Sequence, residues 1–220
     1  DKCLTATAVF LDPTLTLETP EWLWLSSGMR SVDHCVEAIC STTAHPYTDA
    51  LACHALQMLN RYLRECKSDP SNTIARLQCQ LASWLSVNGL ATVTLGLSHG
   101  TGHQLGARCN VPHGITSCVM MHNTMRFNKD FALDRLSWIA QILEVKHSSM
   151  SDEEAADAAA DAVQRLTEDL GLPHQLRDVG VEKSDFKALA EDALQDLIVA
   201  TSPRPVTSPE VVIELFEQAY

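Results

Sequence analysis

Apolar residues return every three or four positions in one stretch of this chain after another, and each stretch ends at a helix breaker. Leu51, Ala55, Leu59 and Leu63 mark residues 47–67. Residues four apart on an α-helix lie one above the other, so these four form one apolar face. Asp69-Pro70 then interrupts the stretch, because proline disfavours helix in the residue before it. Met29, Val32, Val36 and Ile39 mark an earlier stretch that begins near Pro20 and Glu21, a pair suited to a first helical turn. The pattern recurs over 71–95, where Gly89 and Gly96 weaken the far end, and over 113–127, which starts after Pro112. Further stretches cover 131–146, 151–170, 184–198 and 208–219. The one from 151 opens on a Ser151–Glu154 capping box with an acidic first turn, which suits the helix dipole. An all-α domain of about eight to ten helices is expected.

Residues 1–20 read differently. The run TATAVFLDP predicts one short strand or an extended lead, and residues 21–220 a single helical domain. A chain of 220 residues that is 45% hydrophobic can bury one substantial core. Its 28 acidic against 16 basic residues, with no basic run, exclude the footprint of a nucleic-acid or anionic-membrane binder. No apolar run is long enough to span a bilayer, and the N-terminus lacks the basic start and apolar centre of a signal peptide. Eight cysteines without a CxxC pair sit in apolar helical patterns. They are expected as free buried thiols in a reducing, cytoplasmic setting.

The segment GLSHGTGHQLGARCNVPHG holds five glycines and three histidines in 19 residues. His99 and His103 are four apart, and His113 follows beyond a glycine turn that can bring it back toward His99. Imidazole suits zinc, iron and nickel as well as proton transfer. Spacing alone leaves open the reading that these are helix-end histidines with local hydrogen bonds. His34 is the natural fourth member, with Arg30 one turn before it. A guanidinium there repels a bound cation but suits a substrate carboxylate, or it pairs with Asp33 or Glu37. Asp33 is adjacent to His34 and not a turn away, so it is expected to point elsewhere and to make a poor ligand.

The chain resembles the C-terminal helical domain of the iron-containing alcohol dehydrogenase superfamily, a dehydroquinate synthase-like fold. The likeness runs through VFLDPTLTLETP, SSGMRSVDHCVEA, HPYTDALACHAL, the glycine and histidine segment, and MHNTMRFN. LGLPHQLRDVGV and SPRPVTSPEVVIELFEQAY lean toward its maleylacetate reductase branch. The resemblance implies an oxidoreductase that moves hydride between NAD or NADP and a carbonyl or alcohol. In metal-dependent members one aspartate and three histidines hold iron or zinc. His34, His99 and His113 match the histidine positions, Arg30 matches the aspartate position, and His103 matches a histidine close to the nicotinamide and substrate. With a cation in place of the anionic ligand, metal independence is expected, and no metal is expected ahead of iron or zinc. Arg30 would supply positive charge in a degenerate metal site, and His103 and His99 would move protons.

The family's N-terminal nucleotide-binding domain is absent from this chain. It is expected as a separate chain or cleaved piece, or the sequence is one domain of a longer protein. Otherwise the chain stands alone, as a homodimer, and acts as an isomerase, lyase or cyclase without hydride transfer, or as a non-catalytic interaction protein. A small-molecule substrate, carboxylate-bearing where Arg30 holds it, fits each enzymatic reading.

Overall fold

The computed structural model describes residues 6–220. Among them the fold is all-helical. The helices are α1 (Glu21–Cys40), α2 (Pro46–Ser68), α3 (Thr73–Asn88), α4 (Leu97–Cys109), α5 (His113–Phe127), α6 (Leu133–Ile142), α7 (Asp152–Asp169), α8 (Phe186–Ala193) and α9 (Pro209–Gln218). None is long and apolar enough to cross a membrane. Residues 6–13 form neither strand nor helix, and the start of the TATAVFLDP run at Thr5 lies outside the described residues. A strand needs a ladder partner, whereas Val9 and Phe10 are exposed. The expected stretch 71–95 stops at Asn88, and that over 184–198 shrinks to α8.

Helix α1 runs through the middle. From Met29 to Cys40 every residue is buried except the half-buried His34. It packs on α2, α3 and α5 and also touches α4 and α6. Two glycines allow the close approaches on its polar side. A Cβ on Gly114, at the start of α5, would lie 2.6 Å from the Ser26 backbone. A Cβ on Gly102, in α4, would lie 2.8 Å from Thr116 Oγ1. Gly114 thereby seats the start of α5 on the first part of α1, and Gly102 lets α4 and α5 pack closely beside it.

Candidate metal centre

Asp33 and Glu37 are one helical turn apart on α1 and share a face. That face meets the start of α4. A helix N-terminus presents backbone N–H groups without intrahelical partners and favours negative charge. Glu37 takes up two of them: Gly96 N–H donates to Oε2 at 2.8 Å and Ser98 N–H to Oε1 at 2.7 Å. The next residue of α4 is His99, whose Nδ1 donates to Glu37 Oε2 at 2.7 Å and lies 3.6 Å from Asp33 Oδ2. Asp33 Oδ2 also accepts from Ser117 Oγ at 2.6 Å, Ser98 Oγ at 3.0 Å and Arg30 Nη1 at 3.3 Å. Asp33, Glu37 and His99 are all buried, and each offers one ligand atom within 4.8 Å of the others.

Burial is the largest single influence on His99 and pushes it down, but the Asp33 and Glu37 charges together outweigh it and hold it above the usual imidazole range. Glu37 lies below the carboxylate range, because His99 and the two backbone donors overcome the upward push of burial. His34, stacked on His99 with ring centroids 5.1 Å apart, is pushed down to about 4 by burial and then by His99. Three buried atoms here have no hydrogen-bond partner: Asp33 Oδ1, His99 Nε2 and His34 Nδ1. Such atoms are costly to bury unpaired. The bare Nε2 of His99 and the free Oδ1 of Asp33 are donor atoms that a bound ion can use. Carboxylate oxygen and imidazole nitrogen suit iron and zinc. The residues present fit a divalent cation.

This overturns the expectation of a degenerate, metal-independent site. That expectation rested on Arg30 removing the only carboxylate and on Asp33 pointing away. The structure brings two carboxylates, Asp33 and Glu37, to His99 instead. The physical reason is the enclosure of α1. On a half-exposed helix a neighbour of His34 would face solvent, but here Asp33 meets α4 and α5 while His34 stacks on His99. Arg30 stands at the edge of this cluster, where its Nη1 donates to Ser117 Oγ at 3.0 Å and to Asp33 Oδ2 at 3.3 Å. A metal cofactor is at least as well supported as none.

The other two histidines singled out in the sequence form a second stacked pair, His103 on His113, with centroids 5.9 Å apart and ring planes 7° apart. Neither belongs to the three-residue cluster. His113 is exposed and held below its usual range by burial of part of its ring and by Arg30, His103 and His99. His103 Nδ1 lies 2.7 Å from Asp196 Oδ2. Sequence reasoning missed Asp196, which is 93 positions away, and undervalued Glu37. The four-residue spacing of Asp33 and Glu37 was the available signal.

The C-terminal profile of the Fe-containing alcohol dehydrogenase family matches residues 24–220. The chain is 36% identical to lactaldehyde reductase of Escherichia coli (strain K12), over 96% of its own length and 54% of that protein. It is 35% identical to 1,3-propanediol dehydrogenase of Citrobacter freundii, over 95% and 54%. It therefore spans about half the length of these relatives. A crystal structure of 1,3-propanediol oxidoreductase superposes with a TM-score of 0.91 at 34% identity, covering 95% of this chain and 55% of the other. The maleylacetate reductase of Rhizobium sp. strain MTP-10005 superposes less well, with a TM-score of 0.82 at 25% identity. The leaning toward that branch is corrected accordingly.

Proposed function

Because this chain belongs to the iron-containing alcohol dehydrogenase family, we propose that it is the helical half of an NAD(P)-dependent oxidoreductase. It interconverts a small alcohol and its carbonyl compound beside a divalent cation held by Asp33, Glu37 and His99. The observation that carries this reading is the buried convergence of those three side chains, each with a ligand atom within 4.8 Å of the others. His34, stacked on His99, and His113, at the start of α5, are the further donors within this reading. When bound, the cation polarises the substrate oxygen.

The chain's own residues do the rest. Glu37 fixes His99 through Nδ1 and leaves Nε2 free. Arg30, anchored on Ser117 and Asp33, faces the same region with its charge and suits an anionic oxygen or a substrate carboxylate. Asp196 accepts from Nδ1–H of His103. His103 Nε2 is then the atom that gives a proton to, or takes one from, the substrate hydroxyl, and His103 contacts the nicotinamide. NAD or NADP is held mainly by a nucleotide-binding region outside these residues, on a longer form of the chain or on a separate one. The named relatives act on short, hydroxyl-bearing compounds, which supports a substrate of that size.

The test is a nicotinamide absorbance assay on the protein purified from its source, with 1,3-propanediol and lactaldehyde, after chelation and after readdition of ferrous iron or zinc. Turnover restored by metal is expected. Nicotinamide turnover that is unchanged by complete metal removal would overturn the assigned role of the cluster, and no turnover with either metal would overturn the reaction. Native mass spectrometry of the same sample identifies the source of the nucleotide-binding region.

A further inference from the structure

We propose that Cys66 and Cys79 form a peroxide-reactive dithiol that closes to a disulfide between α2 and α3.

The two sulfurs lie 3.9 Å apart in hydrogen-bond contact, and a disulfide brings such a pair to about 2.05 Å. Neither belongs to the metal centre. Arg76 stands beside them, only 3% exposed and stacked on the Trp24 ring, with its guanidinium carbon 4.6 Å from the ring centroid. Its nitrogens donate to Pro70 O at 2.7 Å, Thr16 O at 2.8 Å and Thr16 Oγ1 at 3.2 Å. Among the described residues no carboxylate pairs with it. A buried guanidinium satisfied only by neutral oxygens favours negative charge nearby, and it draws the Cys66 thiol toward its thiolate. The Cys79 S–H donated to Cys66 is the main reason that Cys66 falls to about 7, with Trp24 and Arg76 helping against burial and the Glu65 charge. Cys35, Cys40, Cys53, Cys109 and Cys118 are pushed the other way by burial, and Cys79, which gives its S–H to Cys66, is held above the thiol range as the proton-bearing partner, so Cys66 is the base of the pair.

Access comes from the other sulfur. Cys79 lines a pocket of about 300 Å³ that is walled by Trp24, Gly28, Leu63, Trp84 and Val87. A hydroperoxide entering there meets Cys79. Cys66 thiolate takes the Cys79 proton, and the Cys79 sulfur attacks the terminal peroxide oxygen. An S–O bond forms, the O–O bond breaks, and the departing alkoxide recovers the proton from Cys66 as the alcohol. Cys66 thiolate then attacks the Cys79 sulfenyl sulfur. The S–S bond forms and hydroxide leaves to take a proton from solvent as water. In sum, two thiols are oxidised by one hydroperoxide, which is reduced to an alcohol and water.

The experiment exposes the native protein to hydrogen peroxide, blocks remaining thiols with iodoacetamide, and maps peptides by mass. The expected product is a cross-link between the peptides carrying Cys66 and Cys79, lighter by two hydrogens and reversed by dithiothreitol, with Cys35, Cys40 and Cys118 alkylated only after unfolding. In Cys66→Ser the cross-link is lost. Cys79 oxidises about tenfold more slowly, and its sulfenic acid is trapped by dimedone. Cys66 and Cys79 both still reduced after other cysteines have reacted would overturn the proposal, as would a cross-link through different cysteines. The wild-type map decides the matter even if a variant fails to fold.

Discussion

Asp196, in the turn after α8, accepts a hydrogen bond from Nδ1 of His103 on α4 at 2.7 Å. The carboxylate is 15% exposed and the imidazole 38%, so the pair is anchored at one end and open at the other. A carboxylate on Nδ1 fixes the tautomer and leaves Nε2 as the working nitrogen. Asp196→Asn keeps the shape but can offer its amide N–H to Nδ1 and invert the tautomer. It is expected to lower kcat about ten- to a hundredfold, within the range that a proton-transfer group contributes, with KM nearly unchanged. Steady-state kinetics check this, and an equal loss in KM alone would assign Asp196 to substrate binding.

Metal retention should follow the cluster. Asp33→Asn and Glu37→Gln are each expected to weaken iron or zinc binding at least about tenfold, read by elemental analysis after dialysis and by competition with a chromophoric chelator. The affinity should also fall with acidity. His99 is held above its ordinary range, so below that raised value it carries a proton that a metal must displace. Full metal content in both variants would show that the ion is held elsewhere.

Arg30 is 8% exposed, and its Nε has no partner. Arg30→Ala strips Asp33 of one donor and is expected to cost about 1–3 kcal/mol of stability, measured by urea unfolding. In the full enzyme the same change should raise KM for a carboxylate-bearing substrate more than for a neutral one. Equal effects on both substrates would remove the anion-holding role.

Acid should destabilise the fold through His122, away from the metal cluster. Burial foremost, then Arg126 and His174, push it down to about 3. In the unfolded chain it titrates near 6.5. Between those values the unfolded state binds a proton that the folded state refuses. Stability is therefore complete above about 6.5 and falls by up to about 1.4 kcal/mol for each pH unit below it. Urea unfolding at pH 7 and pH 5 should show a larger drop for wild type than for His122→Asn. Equal drops would place the acid sensitivity in other groups.

Gly114→Ala tests the packing of α5 on α1. Its Cβ would sit 2.6 Å from backbone atoms of Ser26, which cannot rotate away. A loss of about 1–3 kcal/mol is expected from overpacking, with a lower thermal midpoint.

The helix order was legible because its signals are local. The Ser151–Glu154 box closes as read, with Ser151 N–H donating to Glu154 Oε2 at 2.8 Å and Glu154 N–H to Ser151 Oγ at 3.2 Å, and α5 spans the expected 113–127. The site was legible only in part. The histidines were found, and the structure gathers them in two stacked pairs. Asp33 was dismissed because one-face reasoning assumes that a helix has a solvent side, and α1 has almost none. Asp196 could not be read at all, since a contact across 93 positions leaves no periodic trace.

The enclosure of α1 has a consequence for how this protein fails on heating. Arg30, Asp33 and Glu37 share one rigid rod with Met29, Val32 and Ile39, which fill the interior. In many enzymes the working residues sit on loops that loosen first, so activity decays well below the melting temperature. Here Asp33 and Glu37 cannot part while the interior stays packed, and His99 is buried against them on α4. Loss of bound metal and loss of helical signal should therefore trace a single thermal transition.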